Sequence, residues 1–312
     1  MKAAVLEHYG APQEFKIKDL AAPALQEGQL LVRNHASSVN PIDVLVRQGT
    51  LRLVSGLTGE PVIGSDFCGT VTESRSSRFQ PGDEVFGFVA ATTGQAYAEL
   101  VAVDADLAAP KPTTLSFVEA GVLPMVTMTA YQGLVTEGGL QAGQRVLING
   151  CTGGVGGTAV QIAKALGATV VGTCQGEHMD QARALGCDQV LNYETEAIPQ
   201  DHTFDLILDT AAKLTLTDVE ASLTEQGVLV TTKPAMDDAA HTVSSAVDLL
   251  KPRMKMVHAK SNPDDLLKIK AWVEQGKLRP CVTQTFPLAQ IAQAHAQLEH
   301  GDVVGKVAID LG

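Results

Sequence analysis

The stretch VLINGCTGGVGGTAVQIAKALGATVVGTC, residues 146–174, decides the reading of the fold. Five glycines fall within residues 150–157, behind an apolar run and ahead of a pattern with helical spacing. In a dinucleotide-binding turn one glycine permits the sharp bend. A second lets the backbone approach a pyrophosphate, and a third lets the helix pack closely on the strand. Gly153, Gly154 and Gly156 suit these tasks, with Val155 among them. A helix over 155–166 then aims its unpaired N–H groups and positive dipole end at the phosphates. A second apolar strand over 169–173 completes strand, loop, helix and strand at the spacing of a βαβ unit, which separates this loop from a merely structural glycine turn. Cys151 stands where many such loops carry their first glycine.

Working outward, the same texture repeats. Buried strands are expected at 145–149, 169–173, 189–192, 204–209, 227–231 and 254–258, with helices between most of them, as in a parallel sheet of βαβ units. Before about residue 115 the pattern is different. Short apolar runs at 3–6, 30–34, 69–72, 84–89 and 98–103 are separated by Gly, Pro and Asp and read as a mostly β domain. Past 258 come an amphipathic helix over 264–274, a turn at 275–276, a helix near 288–299 and a final strand over 305–310. That lone strand needs a sheet to join, and the N-terminal β domain offers one. The expected fold is therefore α/β, with a dinucleotide-binding domain over 122–258 inserted in a mostly β substrate domain formed by 1–121 and 259–312.

Composition limits the function. A chain of 312 residues exceeds one ordinary core, so about two domains are expected. Hydrophobic residues at 45% and charged residues at 19% exclude a disordered chain. With 35 acidic against 23 basic side chains, the formal charge of −12 disfavours nucleic acid and anionic membrane surfaces as partners. The amino terminus meets a charge and a turn too early for a signal peptide, and no apolar run approaches the length of a membrane span. A cytoplasmic protein is expected. Cys68, Cys151, Cys174, Cys187 and Cys281 are scattered without a Cys-x-x-Cys pair and read as reduced, mostly buried thiols.

Residues 149–156, Asn-Gly-Cys-Thr-Gly-Gly-Val-Gly, followed by Ala-Val-Gln-Ile-Ala-Lys-Ala-Leu-Gly-Ala at 159–168, resemble the cofactor loop of the zinc-free quinone oxidoreductases, a branch of the medium-chain dehydrogenase/reductase superfamily. In that branch the first-glycine position usually holds a small residue, commonly alanine, so Cys151 is a mild departure. SVNPID at 38–43, PVIGSD at 61–66, GDEVFG at 82–87, QAYAE at 95–99, Leu123-Pro124 with Thr129-Ala130-Tyr131, and Gly305-Lys306-Val307 all occur in the family's order. The resemblance thus covers nearly the whole chain. It implies a GroES-like substrate domain interrupted by a Rossmann domain. It also implies a homodimer, formed where the edge strand near 253–258 extends the Rossmann sheet across a two-fold axis.

Zinc-dependent relatives carry a Cys ligand in the segment matching Val39-Asn40 and a His in the segment matching Gly64-Ser65-Asp66. Asn40 and Ser65 supply neither thiolate nor imidazole, and residues 87–115 hold no cysteine for a structural zinc lobe, so no metal is expected. Without a metal, hydride transfer needs an acceptor that itself delocalises negative charge, such as a quinone, an enone or an enal. The protein's task is then to position the reactants and exclude water. Asn40 and Thr129 resemble family residues beside the nicotinamide, where their side chains are expected to donate hydrogen bonds to a cofactor amide or a developing enolate oxygen. Asn40 also reads as the N-cap of a helix, with Pro41 first, Asp43 third and Gly49 at its end, and the two roles are compatible. Tyr97 reads as a proton donor or as a packed tyrosine. Asp66 reads as a carboxylate retained behind the site or as a turn acceptor, and His258 as a surface or hinge residue.

Cofactor choice is read from the end of the second Rossmann strand. NAD-selective sites place Asp or Glu there, but VGTCQ at 171–175 has no carboxylate, so NADPH is expected. Thr173 and Gln175 are expected donors to the adenosine end, and Tyr193 resembles a family tyrosine that packs there. His178 or Arg183 would supply positive charge, while Glu177 argues the other way. The expected function is NADPH-dependent reduction of a small-molecule quinone or α,β-unsaturated carbonyl. An alkenal or enoyl-thioester reductase is the alternative within enzymes, and a non-catalytic NADPH-binding regulatory protein the alternative outside them.

Overall fold

The computed structural model describes residues 1–52, 59–92, 94–233, 248, 250–301 and 303–312. The chain divides into two compact units. The first comprises Met1–Met125, Lys260–Gln275 and Pro280–Gly312, so both chain ends contribute to it, and the second comprises Val126–Ala259 with Gly276–Arg279. Among the described residues no helix is long and apolar enough to cross a membrane.

In the first unit β1 (Lys2–Leu6) and β2 (Phe15–Asp19) pair antiparallel. The main sheet contains β3 (Gln29–Val39), β4 (Asp66–Ser74), β5 (Glu84–Phe88), β6 (Leu100–Asp104) and β7 (Ala108–Pro110), joined from the end of the chain by β14 (Val282–Pro287) and β15 (Lys306–Asp310). Its order is β14-β15-β3-β4-β5-β7, with β6 also paired to β3. The final strand thus joins the N-terminal sheet, lying antiparallel to β3. The register of β3 against β4 shifts twice. At the second shift Asn34 donates to Ala96 O at 2.7 Å and accepts from Cys68 N at 3.1 Å, which satisfies backbone groups that the irregularity frees. Gly69 is required beside it, since a Cβ there would stand 1.9 Å from Arg33 O. Apolar side chains on both faces form two clusters, one around Leu6, Ile63, Tyr97 and Ile309, the other around Leu30, Phe67, Val85 and Val103.

The second unit is built on a six-stranded sheet of β8 (Arg145–Asn149), β9 (Thr169–Cys174), β10 (Gln189–Asn192), β11 (Phe204–Asp209), β12 (Leu223–Thr231) and β13 (Met254–Met256). The order is β10-β9-β8-β11-β12-β13 and every pairing is parallel. Strands covered on both faces carry near-continuous apolar runs, as in Val146-Leu147-Ile148, all fully buried. Leu147, Val171, Phe204, Ile207 and Leu229 form the core on one side. This is the expected α/β architecture: β8, β10 and β11 have the bounds expected, while β12 begins four residues earlier than expected and β13 ends two residues sooner.

Candidate functional site

Strand order in the second unit departs from β8 in both directions, β9 lying on one side and β11 on the other. Such a reversal opens a crevice at the carboxyl ends of the strands. Gly150 leaves β8 with φ of 81°, a left-handed turn that favours glycine. Gly153 is the N-cap of the helix Gly154–Ala165, and Val155 and Gly156 lie in its first turn. A Cβ on Gly156 would lie 2.0 Å from Gly150 O and 2.9 Å from Thr210 Oγ1. One on Gly153 would meet only Gly150 O, at 3.6 Å. Gly156 therefore lets the helix close on the turn, while Gly153 leaves the backbone approachable from outside.

A buried frame holds this loop. The Thr173 hydroxyl donates to Asn149 Oδ1 at 2.5 Å and accepts from Gly150 N at 3.2 Å. Asn149 Nδ2 donates to Asp209 Oδ1 at 2.8 Å, and Asp209 Oδ2 accepts from Lys213 N and Leu214 N, each at 2.9 Å. The ends of β8, β9 and β11 are thereby tied together beneath the glycines. Burial raises the Asp209 carboxyl pKa, opposed by these donors. Thr173, expected as a donor to the cofactor, is 1% exposed, and its hydroxyl bonds Asn149 and Gly150 within this frame. Gln175, His178 and Tyr193 are brought together just beyond. Gln175 O accepts from His178 N at 3.0 Å, and Tyr193 N donates to Cys174 O at 3.2 Å. Tyr193 is 54% exposed. His178 Nε2 lies 3.4 Å from Glu177 Oε1, and Arg183 pairs with Asp180.

In the first unit the end of β3 and the starts of β4 and β15 converge on a polar cluster. Ser38, Asn40, Asp43, Ser65 and Asp66 are buried. Asn40 caps the helix Pro41–Arg47, its N–H donating to Asp43 Oδ2 at 2.9 Å, and Gly49 follows the helix with φ of 81°. The Asn40 amide donates to Asp43 Oδ2 at 3.2 Å and to Asp66 Oδ2 at 2.8 Å, and its Oδ1 accepts from Lys306 Nζ at 2.6 Å. Both amide hydrogens are committed to carboxylates. Donation from Asn40 to a cofactor amide or an enolate, the role expected of it, would compete with these two bonds. Lys306 Nζ also donates to Val39 O at 3.0 Å and stands 4.0 Å from Asp66 Oδ2. Asp66 accepts from Ser38 Oγ at 2.5 Å and from Met125 N at 2.8 Å, so it joins the cluster to the start of the helix Pro124–Tyr131.

Ser65 Oγ donates to Asp43 Oδ1 at 2.6 Å. Burial, reinforced by Asp66 and opposed by the Ser65 bond, pushes the Asp43 carboxyl up to about 6. Burial lowers Lys306, countered by the two carboxylates. The Tyr97 hydroxyl donates to Asp43 Oδ2 and to Ser38 O, both at 3.3 Å, and lies 3.2 Å from His295 Nε2. Tyr97 is fully buried, as the packed reading of it expects, and burial drives its pKa well above the usual value, so the hydroxyl keeps its proton. Burial, with Arg47 adding to it, lowers His295 to about 3, so the ring is neutral. Lys306 and His295 were not among the expected site residues. Thr129 belongs to the second unit, on the helix Pro124–Tyr131, and is half-buried.

Two family models match the chain, Alcohol dehydrogenase GroES-like domain at residues 26–113 and Zinc-binding dehydrogenase at residues 185–309. The human protein named NAD(P)H oxidoreductase RTN4IP1, mitochondrial, is 30% identical over all of this chain and 89% of its own length. An Arabidopsis thaliana protein named NADPH-dependent alkenal/one oxidoreductase, chloroplastic, is 31% identical over 99% of this chain and 79% of its own. The solved structure of the quinone oxidoreductase from Coxiella burnetii superposes with a TM-score of 0.88 at 29% identity, covering 100% of this chain and 99% of that one.

Proposed function

This chain belongs to the quinone oxidoreductase family of the medium-chain dehydrogenase/reductase superfamily, and from that membership we propose that it reduces a quinone or an α,β-unsaturated carbonyl with NADPH and without a metal ion. The observation that carries the reading is the position of Lys306. Its ammonium lies 2.6 Å from Asn40 Oδ1 and 4.0 Å from Asp66, in the segment where zinc-dependent relatives hold the ion. Lys306 already places a cation beside Asp66, and Asn40 and Ser65 turn their hydrogens toward carboxylates and offer neither thiolate nor imidazole, so the donor set does not suit zinc. The acceptor must therefore stabilise the incoming charge by its own conjugation, as quinones, enones and enals do.

Bound NADPH supplies the hydride. The N–H groups of the loop and of the helix Gly154–Ala165 receive the pyrophosphate, on a backbone that Thr173, Asn149 and Asp209 keep in place. Gln175, His178 and Tyr193 take the adenosine end, where no carboxylate ends β9 to repel a 2′-phosphate. Thr129 faces the nicotinamide, by resemblance to the family. Asn40 and Tyr97 act from behind the site by fixing Asp43 and Asp66.

A homodimer through β13, an edge strand among the described strands, is part of the proposal, and so is a cytoplasmic location. Sedimentation as a monomer at micromolar concentration would remove the dimer. The experiment for the activity follows NADPH absorbance with a panel of quinones and 2-alkenals. Acceptor-dependent oxidation with either class supports an enzyme, and the profile separates quinone reductase from alkenal reductase. No oxidation above background, together with tight NADPH binding, supports a non-catalytic NADPH-binding protein.

A further inference from the structure

Three cysteines that are far apart in the chain meet beneath the glycine loop. Cys151 belongs to the loop, Cys174 ends β9, and Cys187 follows the helix Met179–Leu185. They are 0%, 2% and 8% exposed. Cys187 and Cys174 both lie close enough to the Cys151 thiol to raise its pKa, and burial adds to them. Gly172 is the floor of the cluster. A Cβ there would lie 2.6 Å from Cys151 Sγ and 2.7 Å from Cys187 Sγ, so the two sulfurs are at most 5.3 Å apart.

We propose that Cys151 and Cys187 form a reversible disulfide under a hydroperoxide, and that this disulfide switches dinucleotide binding off. The second half rests on the reading of the loop as the NADPH site. The hydrogen bond with Cys187, then burial, holds the Cys151 thiol protonated far above the ordinary range, and burial raises Cys174 as well. The first attack therefore falls to Cys187, the most exposed of the three. Its sulfur bonds to one peroxide oxygen, the O–O bond breaks, and one water leaves, or an alcohol if the oxidant is organic. The sulfenic acid formed is already beside Cys151. The Cys151 sulfur then displaces the sulfenic hydroxyl, the S–S bond forms, and a water carries off that hydroxyl with a thiol proton. Two thiols are oxidised by two electrons and one peroxide is reduced.

A disulfide holds its sulfurs about 2 Å apart, so the two sulfurs must close by up to about 3 Å, and about 1 Å of that passed to the backbone moves Gly150 and Gly153 with Cys151. Displacements of that size are enough to cost about a hundredfold in a positioned site.

The test treats the whole protein with hydrogen peroxide, blocks remaining thiols with an alkylating agent, and maps disulfides by mass spectrometry beside a titration of NADPH binding. A peptide pair joining Cys151 to Cys187, with a Kd for NADPH raised about tenfold or more and restored by a dithiol reductant, is expected. Cys187→Ala, which lies outside the loop, should bind NADPH as the unmodified chain does and keep that affinity in peroxide. Alkylation of all five thiols after peroxide, or a Cys187→Ala variant that loses affinity as the unmodified chain does, overturns the proposal. So does a mapped Cys151–Cys187 bond with unchanged affinity. Failure of the reduced protein to bind NADPH defeats the functional reading instead, and the mapped bond is still read without it.

Discussion

Replacing Gly156 by alanine tests how the dinucleotide loop is built. The added methyl would lie 2.0 Å from Gly150 O and 2.8 Å from Gly150 C, so loop and helix must separate by more than 1 Å to reach an ordinary contact. Backbone crowds it, and no rotamer change relieves the overlap. Overpacking of this kind costs about 3 kcal/mol, offset by about 1 kcal/mol because alanine favours a helix, which leaves a loss of about 2 kcal/mol. For a unit of this size the melting temperature should fall by about 4–8 °C. Because the shift carries the turn that receives the pyrophosphate, the Kd for NADPH should rise by about tenfold to a hundredfold. Gly153→Ala is the control, since its methyl meets a single atom at 3.6 Å and φ there is −73°, a value any residue adopts. It should keep the melting temperature and lose affinity alone, by blocking the approach of the phosphates. Calorimetry and a fluorescence titration of both variants decide the matter. A Gly156→Ala protein with unaltered stability and affinity would refute the packing argument.

Two further outcomes follow from the buried frames. Thr173→Val leaves Asn149 Oδ1 and Gly150 N without their hydroxyl partner and should cost about 1–3 kcal/mol of stability, while the NADPH-to-NADH ratio of kcat/KM stays constant. A fall in that ratio would return the hydroxyl to the cofactor. Asp43 titrates at about 6 when folded against an ordinary 3.8, so the folded state binds its proton more tightly and that stability is lost as pH rises through about 6. Between about pH 4 and 7 urea denaturation should show the unmodified chain losing on the order of 3 kcal/mol relative to Asp43→Asn, and a pH-independent difference contradicts the assignment. His295, lowered to about 3, works in the opposite direction by losing stability as pH falls, and taking the difference between the two proteins removes its contribution.

The Rossmann half was legible because its signals are local. An apolar run, five glycines and a helical pattern are consecutive in the chain, and β8 through β11 fall where the runs placed them. Asn40, Pro41 and Asp43 were read as a helix start for the same reason, since capping depends on neighbours three residues apart. The direction of the Asn40 amide was not legible. It is set by Lys306, 266 residues away, and by Asp66. A lysine beginning an otherwise apolar strand, Lys306-Val307-Ala308-Ile309, was the available signal, because a buried ammonium implies a partner. The thiol cluster was hidden likewise. Its three cysteines have no motif spacing and meet only because β9 lies beside β8 and opposite the chain leading into β10. Burial, which depends on elements far apart in the chain, turns the hydroxyls of Thr173 and Tyr97 inward, and for Tyr97 that is the packed one of its two readings.

Hydride transfer from NADPH to a conjugated acceptor without a metal ion is put to the test by assaying protein taken through exhaustive chelation. Zinc content is measured on the same sample, and NADPH oxidation is followed with a 1,4-quinone, a 2-alkenal and the corresponding saturated aldehyde. Substoichiometric zinc, undiminished turnover of the quinone or the 2-alkenal, and no turnover of the saturated aldehyde are expected. Stoichiometric zinc with activity that chelation abolishes, or reduction of the saturated aldehyde, would contradict it.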